Sequence, residues 1–245
     1  MLTKNNVKFI KSLQLKKYRQ KERLFIVEGE KNTVELLKST YEIKSLVISQ
    51  AFLERYESLV KTTNSEIVIV EAKQLAGLGS YQTNEQALAV VHEPEEVHSI
   101  QSGFQLVLDD IRDPGNLGTI IRIADWYGIP QILCSETTAE FYNPKTISAS
   151  MGSIFRIPLV RLPLESFLAE SKHPVYGALL DGKNVHQIDF PQNGYLVIGN
   201  ESNGIKDNLL PFIKHRVTIP RIGAAESLNA AMATAIICDN IFRKA

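Results

Sequence analysis

The chain has 245 residues, 44% hydrophobic and 22% charged, a balance that excludes a disordered segment and allows one large domain or two smaller ones. Its 27 basic and 27 acidic residues cancel overall but not locally: residues 1–24 hold eight Lys/Arg against Glu22, leaving the remainder net acidic. No apolar run approaches the roughly 20 residues of a membrane helix, and the opening MLTKNNVKFIKSLQLKK lacks a signal-peptide core, so a cytoplasmic protein is expected.

In chain order, the basic N-terminal stretch reads either as an arm for a polyanion or as an amphipathic helix that packs Val7, Ile10, Leu13 and Leu15 inward. From Leu24 the pattern alternates. LFIVEG (24–29), SLVIS (45–49), EIVIVE (66–71) and ALAVVHE (87–93) predict strands, and segments 30–40, 51–63 and 71–78 predict helices between them. Such alternation means a small α/β domain. EPEEVHSIQSG (93–103) is acidic and aperiodic and reads as a linker.

The second half alternates again. Strands are predicted at 105–110, 131–135, 175–180, 195–200 and 216–220. Helices are predicted at 117–127, around 144–155, at 164–171, around 207–213 and from about Ser227 onward. Several of these strands are short continuous apolar runs, as buried parallel strands are. Cys134 and Cys238 lie far apart and read as small buried hydrophobes in a reducing compartment.

Three apolar strands run into polar loops that lead toward helices: VLDDIRDPGNLG, VIGNESNG (197–204) and VTIPRIGAAESLN (217–229). In open α/β sheets, ligands bind beyond the carboxyl ends of parallel strands. The loops supply Asn116, Arg122, Asn200, Glu201, Ser227 and Asn229. Asn116 and Ser227 also suit helix N-caps, before Leu117 and before the last helix. Arg122 stands out, because it lies between Ile121 and Ile123 in a helix whose Leu117, Ile120, Ile121 and Ala124 should be buried. A buried guanidinium needs an anionic partner, Glu201 or an RNA phosphate.

Absent patterns narrow the chemistry. There is no GxxxxGK[ST], no GxGxxG after a strand and no GxSxG, and the five histidines form no HExxH or Cys/His cluster, so no metal is expected.

NLGTIIR with Asn116, Gly118 and Arg122, IGNESNGI, and IPRIGAAESLNAAMA together resemble the three motifs of the SpoU/TrmH branch of the SPOUT RNA methyltransferases. SASMGS (148–153) is similar to a further short segment of that family. Residues 22–93 resemble the L30e-like substrate-binding domain often found ahead of it.

The resemblance implies an α/β chain in two domains. Residues 1–98 would hold the basic arm and an L30e-like RNA-binding domain, and 99–245 a SPOUT catalytic domain with a parallel sheet and a C-terminal trefoil knot. It implies transfer of a methyl group from S-adenosylmethionine to a ribose 2′-OH of structured RNA, ribosomal RNA being favoured by the L30e-like domain with transfer RNA as the other option, by a homodimer with the site near the subunit interface. Arg122, Asn116, Glu201, Ser227 and Asn229 become catalytic candidates, and Gly199, Ile219, Leu228 and Leu180 cofactor-binding ones. Lys16, Lys17, Arg19 and Arg23 become RNA-binding candidates.

Family accounts often make the motif-one arginine the general base. A guanidinium stays protonated, which favours a grip on phosphate and on charge developing at the 2′-oxygen. The alternatives are a non-catalytic RNA-binding protein that keeps the fold, and a methyltransferase acting on a base, a protein or a small molecule.

Overall fold

The computed structural model describes residues 2–80, 84–95 and 99–243. In chain order it contains α1 (Lys4–Ser12), α2 (Lys16–Glu22), β1 (Leu24–Glu28), α3 (Glu30–Leu37), β2 (Ile43–Ile48), α4 (Gln50–Val60), β3 (Glu66–Ile69), α5 (Ala72–Ala76) and β4 (Ala87–His92). There follow β5 (Phe104–Leu108), α6 (Pro114–Trp126), β6 (Ile132–Cys134), α7 (Pro144–Ser150), β7 (Leu159–Arg161), α8 (Leu164–Ala169), β8 (Val175–Asn184), β9 (Gly194–Ile198), β10 (His215–Thr218) and α9 (Ala230–Phe242).

The described residues form two compact units. One runs as far as Glu95 and also takes in Phe141–Arg156; the other comprises the described residues of 96–140 and 157–245. Residues 96–98 of the predicted linker lie outside the described residues.

The first unit is built on a mixed sheet in the order β1-β4-β2-β3, with only β2 and β3 parallel. Its core joins Leu24 and Ile26 of β1, Val47 of β2 and Leu88 and Val90 of β4 to Ile10 and Leu13 at the N-terminus. The basic stretch is therefore part of the domain rather than a loose arm. Leu15, expected to pack inward, is exposed because it N-caps α2 on the outer side.

α7 also belongs to this unit and packs on β1. The sequence predicts one helix over 144–155; the structure ends α7 at Ser150 and resumes with a single 3-10 turn at Ser153–Phe155. The break falls at Met151 and Gly152, with φ of 52° and 92°. A Cβ on Gly152 would lie 2.6 Å from the Glu35 side chain, so position 152 needs glycine for both conformation and space.

The second unit is a six-stranded sheet, parallel throughout, in the order β10-β8-β9-β5-β6-β7. β5 and β9 are buried along their whole length, as continuous apolar runs require.

Three further elements depart from the sequence pattern. The helix expected around 207–213 is a set of turns with a 3-10 turn at Leu210–Phe212, because Pro211 removes a helical donor. β7 was not expected, being three residues flanked by Pro158 and Pro163. β8 runs four residues beyond the predicted end at Leu180, pairing with β10 across a bulge. Among the described residues no helix is long and apolar enough to cross a membrane.

Candidate active site

The loops after β5, β9 and β10 leave the same edge of the parallel sheet. The first two are tied together from below. The Asp109 carboxylate accepts from the Lys206 amide (2.8 Å), and Lys206 Nζ lies 3.5 Å from its other oxygen. Asp110 adopts a left-handed φ of 60° that few side chains tolerate. Its own amide donates to Ser135 Oγ (2.9 Å), and its carbonyl accepts from Asn200 Nδ2 (2.8 Å). Burial would raise its carboxyl pKa, but hydrogen bonds from Thr137 and Arg112 outweigh it and hold the group below the ordinary range.

The second loop closes on itself. Asn200 and Gly204 exchange backbone hydrogen bonds of 2.9 Å, and Asn200 Oδ1 accepts from the amides of Ser202 and Asn203. A Cβ on Gly199 would stand 2.2 Å from the Gly204 carbonyl carbon, so only glycine lets the loop fold back this tightly. Asn200 is thereby spent on shaping the loop.

Above this base runs a chain of three side chains from three loops. Asn229 caps α9, its Oδ1 accepting from the amides of Ala231 (2.9 Å) and Met232 (3.2 Å). With that oxygen engaged, its Nδ2 donates to Asn116 Oδ1 (2.9 Å), and Asn116 Nδ2 donates to Glu201 Oε1 (2.7 Å). Each amide orientation follows from its neighbour's, because an ionised carboxylate only accepts and helix-terminal amides only donate. Glu201 Oε2 has no donor among the described residues.

Two expected caps are corrected here. Asp113, not Asn116, caps α6 and accepts from the Asn116 amide (2.8 Å), with Pro114 in the first turn. Asn229, not Ser227, caps α9. Each shift frees a side chain from helix capping: Asn116 for the chain of amides, Ser227 for the cavity wall.

Arg122 is corrected as well. It is exposed and makes no hydrogen bond or ion pair among the described residues, so the expected pair with Glu201 does not form within this chain. Leu117, Ile120, Ile121 and Ala124 do face inward, as the spacing requires. Position 122 lies on the opposite side of α6, in an exposed row with Thr119 and Trp126; Trp126 is 84% exposed.

A cavity of about 780 Å³ opens beside Glu201. Leu180, Gly199, Glu201, Ile219, Ser227 and Leu228 are among its lining residues, whereas Asn116, Arg122 and Asn229 are not. Residues 220–228 are exposed throughout, and among the described residues their internal hydrogen bonding is limited to Arg221 Nη1 donating to the Ala225 carbonyl (3.2 Å). That loop therefore presents main-chain donors and acceptors to whatever fills the cavity.

Residues 103–239, more than half of the chain, match the SpoU rRNA Methylase family. The chain belongs to that family. Residues 4–89 match the MRM3-like substrate binding domain. Among SpoU-family relatives, the 23S rRNA (guanosine(2553)-2′-O)-methyltransferase RlmP of Bacillus subtilis is 35% identical over 235 residues, covering 94% of this chain and 93% of that one. A 23S rRNA (uridine(2479)-2′-O)-methyltransferase of Streptomyces viridochromogenes is 31% identical over 201 residues, 75% of this chain and 69% of that one.

Among solved structures, a putative TrmH-family RNA methyltransferase from Porphyromonas gingivalis superposes with a TM-score of 0.88 at 34% identity, covering 100% of both chains. An AdoMet-bound rRNA methyltransferase from Sinorhizobium meliloti gives a TM-score of 0.86 at 30% identity, covering 98% of this chain and 95% of that one.

In the first unit of this SpoU-family chain, Lys16, Lys17 and Arg23 are exposed, as an RNA contact requires. Arg19 is the exception. It is 4% exposed, and its Nη1 donates to the carbonyls of Leu13 (2.8 Å) and Gln14 (2.7 Å). Its guanidinium closes the C-terminal end of α1 and is not offered to RNA.

Proposed function

We propose that this chain transfers a methyl group from S-adenosylmethionine to a ribose 2′-hydroxyl of ribosomal RNA. The observation that carries the reading is the Asn229–Asn116–Glu201 chain, which unites all three strand-end loops beside the cavity. The named 23S rRNA 2′-O-methyltransferases among its relatives favour ribosomal over transfer RNA.

The cavity suits the cofactor. Its volume falls within the roughly 300–1,000 Å³ of small-molecule sites, and it combines apolar walls with the exposed main chain of 220–228. Bound S-adenosylmethionine supplies a methyl on a positively charged sulfur that departs neutral, so no metal is required. We assign Gly199, Ile219 and Leu228 to its adenosine through their backbones, with Leu180 as an apolar wall.

Glu201 Oε2 is assigned to accept from the ribose hydroxyl, and Asn116 and Asn229 to hold that carboxylate in place. Ser227, on the cavity wall, supplies a further hydroxyl to the bound molecules. Arg122, with its planar guanidinium fork, is assigned to the target phosphate and to charge developing on the 2′-oxygen.

Because Arg122 lies on an exposed face with Trp126, a second copy docked there would contribute its Arg122 to the neighbouring site. Exposed Trp126, Leu228 and Met232 give α6, α9 and the loop before α9 an apolar surface of the kind that self-associates. A homodimer is therefore part of the reading. So is a division of the chain into a substrate-binding 1–98 and a catalytic 99–245.

A C-terminal trefoil knot, implied by the family resemblance, is part of the same reading. Two buried free thiols, both pushed up to about 12 by burial, suit a reducing cytoplasm.

Incubating the protein with deproteinised ribosomal RNA and methyl-labelled cofactor, then digesting to nucleosides for mass spectrometry, tests this. Label in a 2′-O-methylnucleoside is expected. Label on a base contradicts the assignment, and failure to bind the cofactor in calorimetry favours a non-catalytic RNA-binding protein.

A further inference from the structure

β6 ends at Cys134, and the chain then turns irregularly before Phe141–Arg156 leaves for the first unit. It returns at Ile157 and re-enters the parallel sheet as β7, whose last residue is Arg161. Such a turn leaves main-chain carbonyls outside the strand ladders, and each of them needs a donor. Arg161 supplies them. Its Nη1 donates to the carbonyls of Ser135 (3.0 Å), Glu136 (3.1 Å) and Thr138 (2.9 Å), and its Nη2 to that of Ala139 (2.7 Å). One guanidinium thus closes the base of the 141–156 excursion from within the second unit.

The same turn supports the candidate active site. Ser135 Oγ accepts from the Asp110 amide (2.9 Å), and the Ala139 amide donates to the Ile111 carbonyl (2.8 Å). Thr138 Oγ1 and the Ser135 amide both donate to the Leu108 carbonyl, at 3.2 and 2.9 Å. Residues 135–139 therefore brace the left-handed turn at Asp110. The Asp110 carbonyl in turn accepts from Asn200 Nδ2 (2.8 Å), and Asn200 shapes the loop that carries Glu201. The route from Arg161 to that carboxylate is contiguous and lies within one unit.

We propose that Arg161 is a positioning residue for methyl transfer. By clasping 135–139 it fixes the Asp110 turn and, through Asn200, the loop of Glu201. This rests on the reading of the chain as a methyltransferase. Arg161 is not among the residues lining the cavity, so it acts through others. A planar fork serves several carbonyls at once, which a compact ammonium on a flexible stem does less well. Displacing a reacting group by about 1 Å can cost on the order of 100-fold in rate, so a clasp at this remove still matters.

The test assays the full chain on deproteinised ribosomal RNA as the R161M, S135A and R161M/S135A variants. R161M is expected to lose about tenfold or more in kcat, with KM for RNA and cofactor affinity in calorimetry within about twofold of the parent. S135A should fall in the same direction. The double variant should be about as slow as the slower single one, because both changes act on one turn. Arg161→Lys should recover part of the lost kcat. In hydrogen exchange, amides of 109–111 and 135–139 should open faster in R161M while those of β9 do not.

Parent-level kcat in R161M or S135A overturns the proposal, as does a double variant whose losses multiply. So does a raised KM for RNA at unchanged kcat, which would make Arg161 a phosphate contact. If R161M does not fold, R161K takes its place in every comparison. A parent that methylates no RNA contradicts the methyltransferase reading instead, and unchanged exchange at 109–111 in the variant would still refute the clasp.

Discussion

The loops after β5 and β9 and the loop after β10 lie beside one cavity and are built in opposite ways. Asp109, Asp110 and Asn200 are buried, and the Asp109 carboxylate and the Asp110 carbonyl bind groups of the second loop, the Lys206 amide and Asn200 Nδ2. Residues 220–228 are exposed and scarcely bonded to one another. The difference separates two tasks. The first two loops hold Asn116 and Glu201 in one geometry before any ligand arrives, which favours an oriented reaction. The third keeps its backbone groups available, so binding can complete what folding leaves open.

The largest way to break this contrast is at the junction. Asn116→Ala removes the link between Glu201 and Asn229 and should lower turnover on the order of 100-fold or more while cofactor affinity in calorimetry changes little. An equal loss in both would place Asn116 in the cofactor site instead. Arg122→Lys keeps the charge but loses the planar fork, and should cut kcat by on the order of 10- to 100-fold without altering the melting temperature. Near-full turnover in that variant would remove Arg122 from the chemistry.

Gly199→Ala tests the rigid half directly. The added methyl would meet the Gly204 backbone at 2.2 Å, so the second loop must shift, and a loss of about 1–3 kcal/mol should appear in denaturant unfolding. Trp126→Glu should convert the proposed dimer to a monomer in light scattering, with the melting of each chain largely kept.

The smallest effect is on pH dependence. Asp110 has a folded-state pKa below its ordinary 3.8, so its contribution is present above that value and fades as pH falls through and below it. Asp110→Asn should flatten the acid limb of a melting-temperature profile.

Much of this was legible in the amino-acid order. β5 and β9 announce themselves as unbroken apolar runs that end in two of the three loops, whereas β10, which leads into the third, buries only Val217 fully and Thr218 in part. What misled was local competition. Asp113 and Asn116 are both good caps, and proline directly after Asp113 decides between them.

Arg122 looked buried because isoleucines flank it, yet the helical period that buries Ile120, Ile121 and Ala124 turns position 122 outward. Arg19 resembled its basic neighbours because nothing in composition reveals that two carbonyls at the end of α1 lie within its reach. α7 belongs to the first unit through packing against β1, a relation that periodicity cannot show.

Hydrogen exchange read by mass spectrometry, with and without saturating S-adenosylmethionine, tests the central contrast most directly. The expected result is that amides of 219–228 exchange fast in the free protein and slow markedly with cofactor, while those of 108–117 and 200–206 stay protected in both states. Equal protection of all three loops without cofactor, or protection gained outside 219–228 alone, would contradict it.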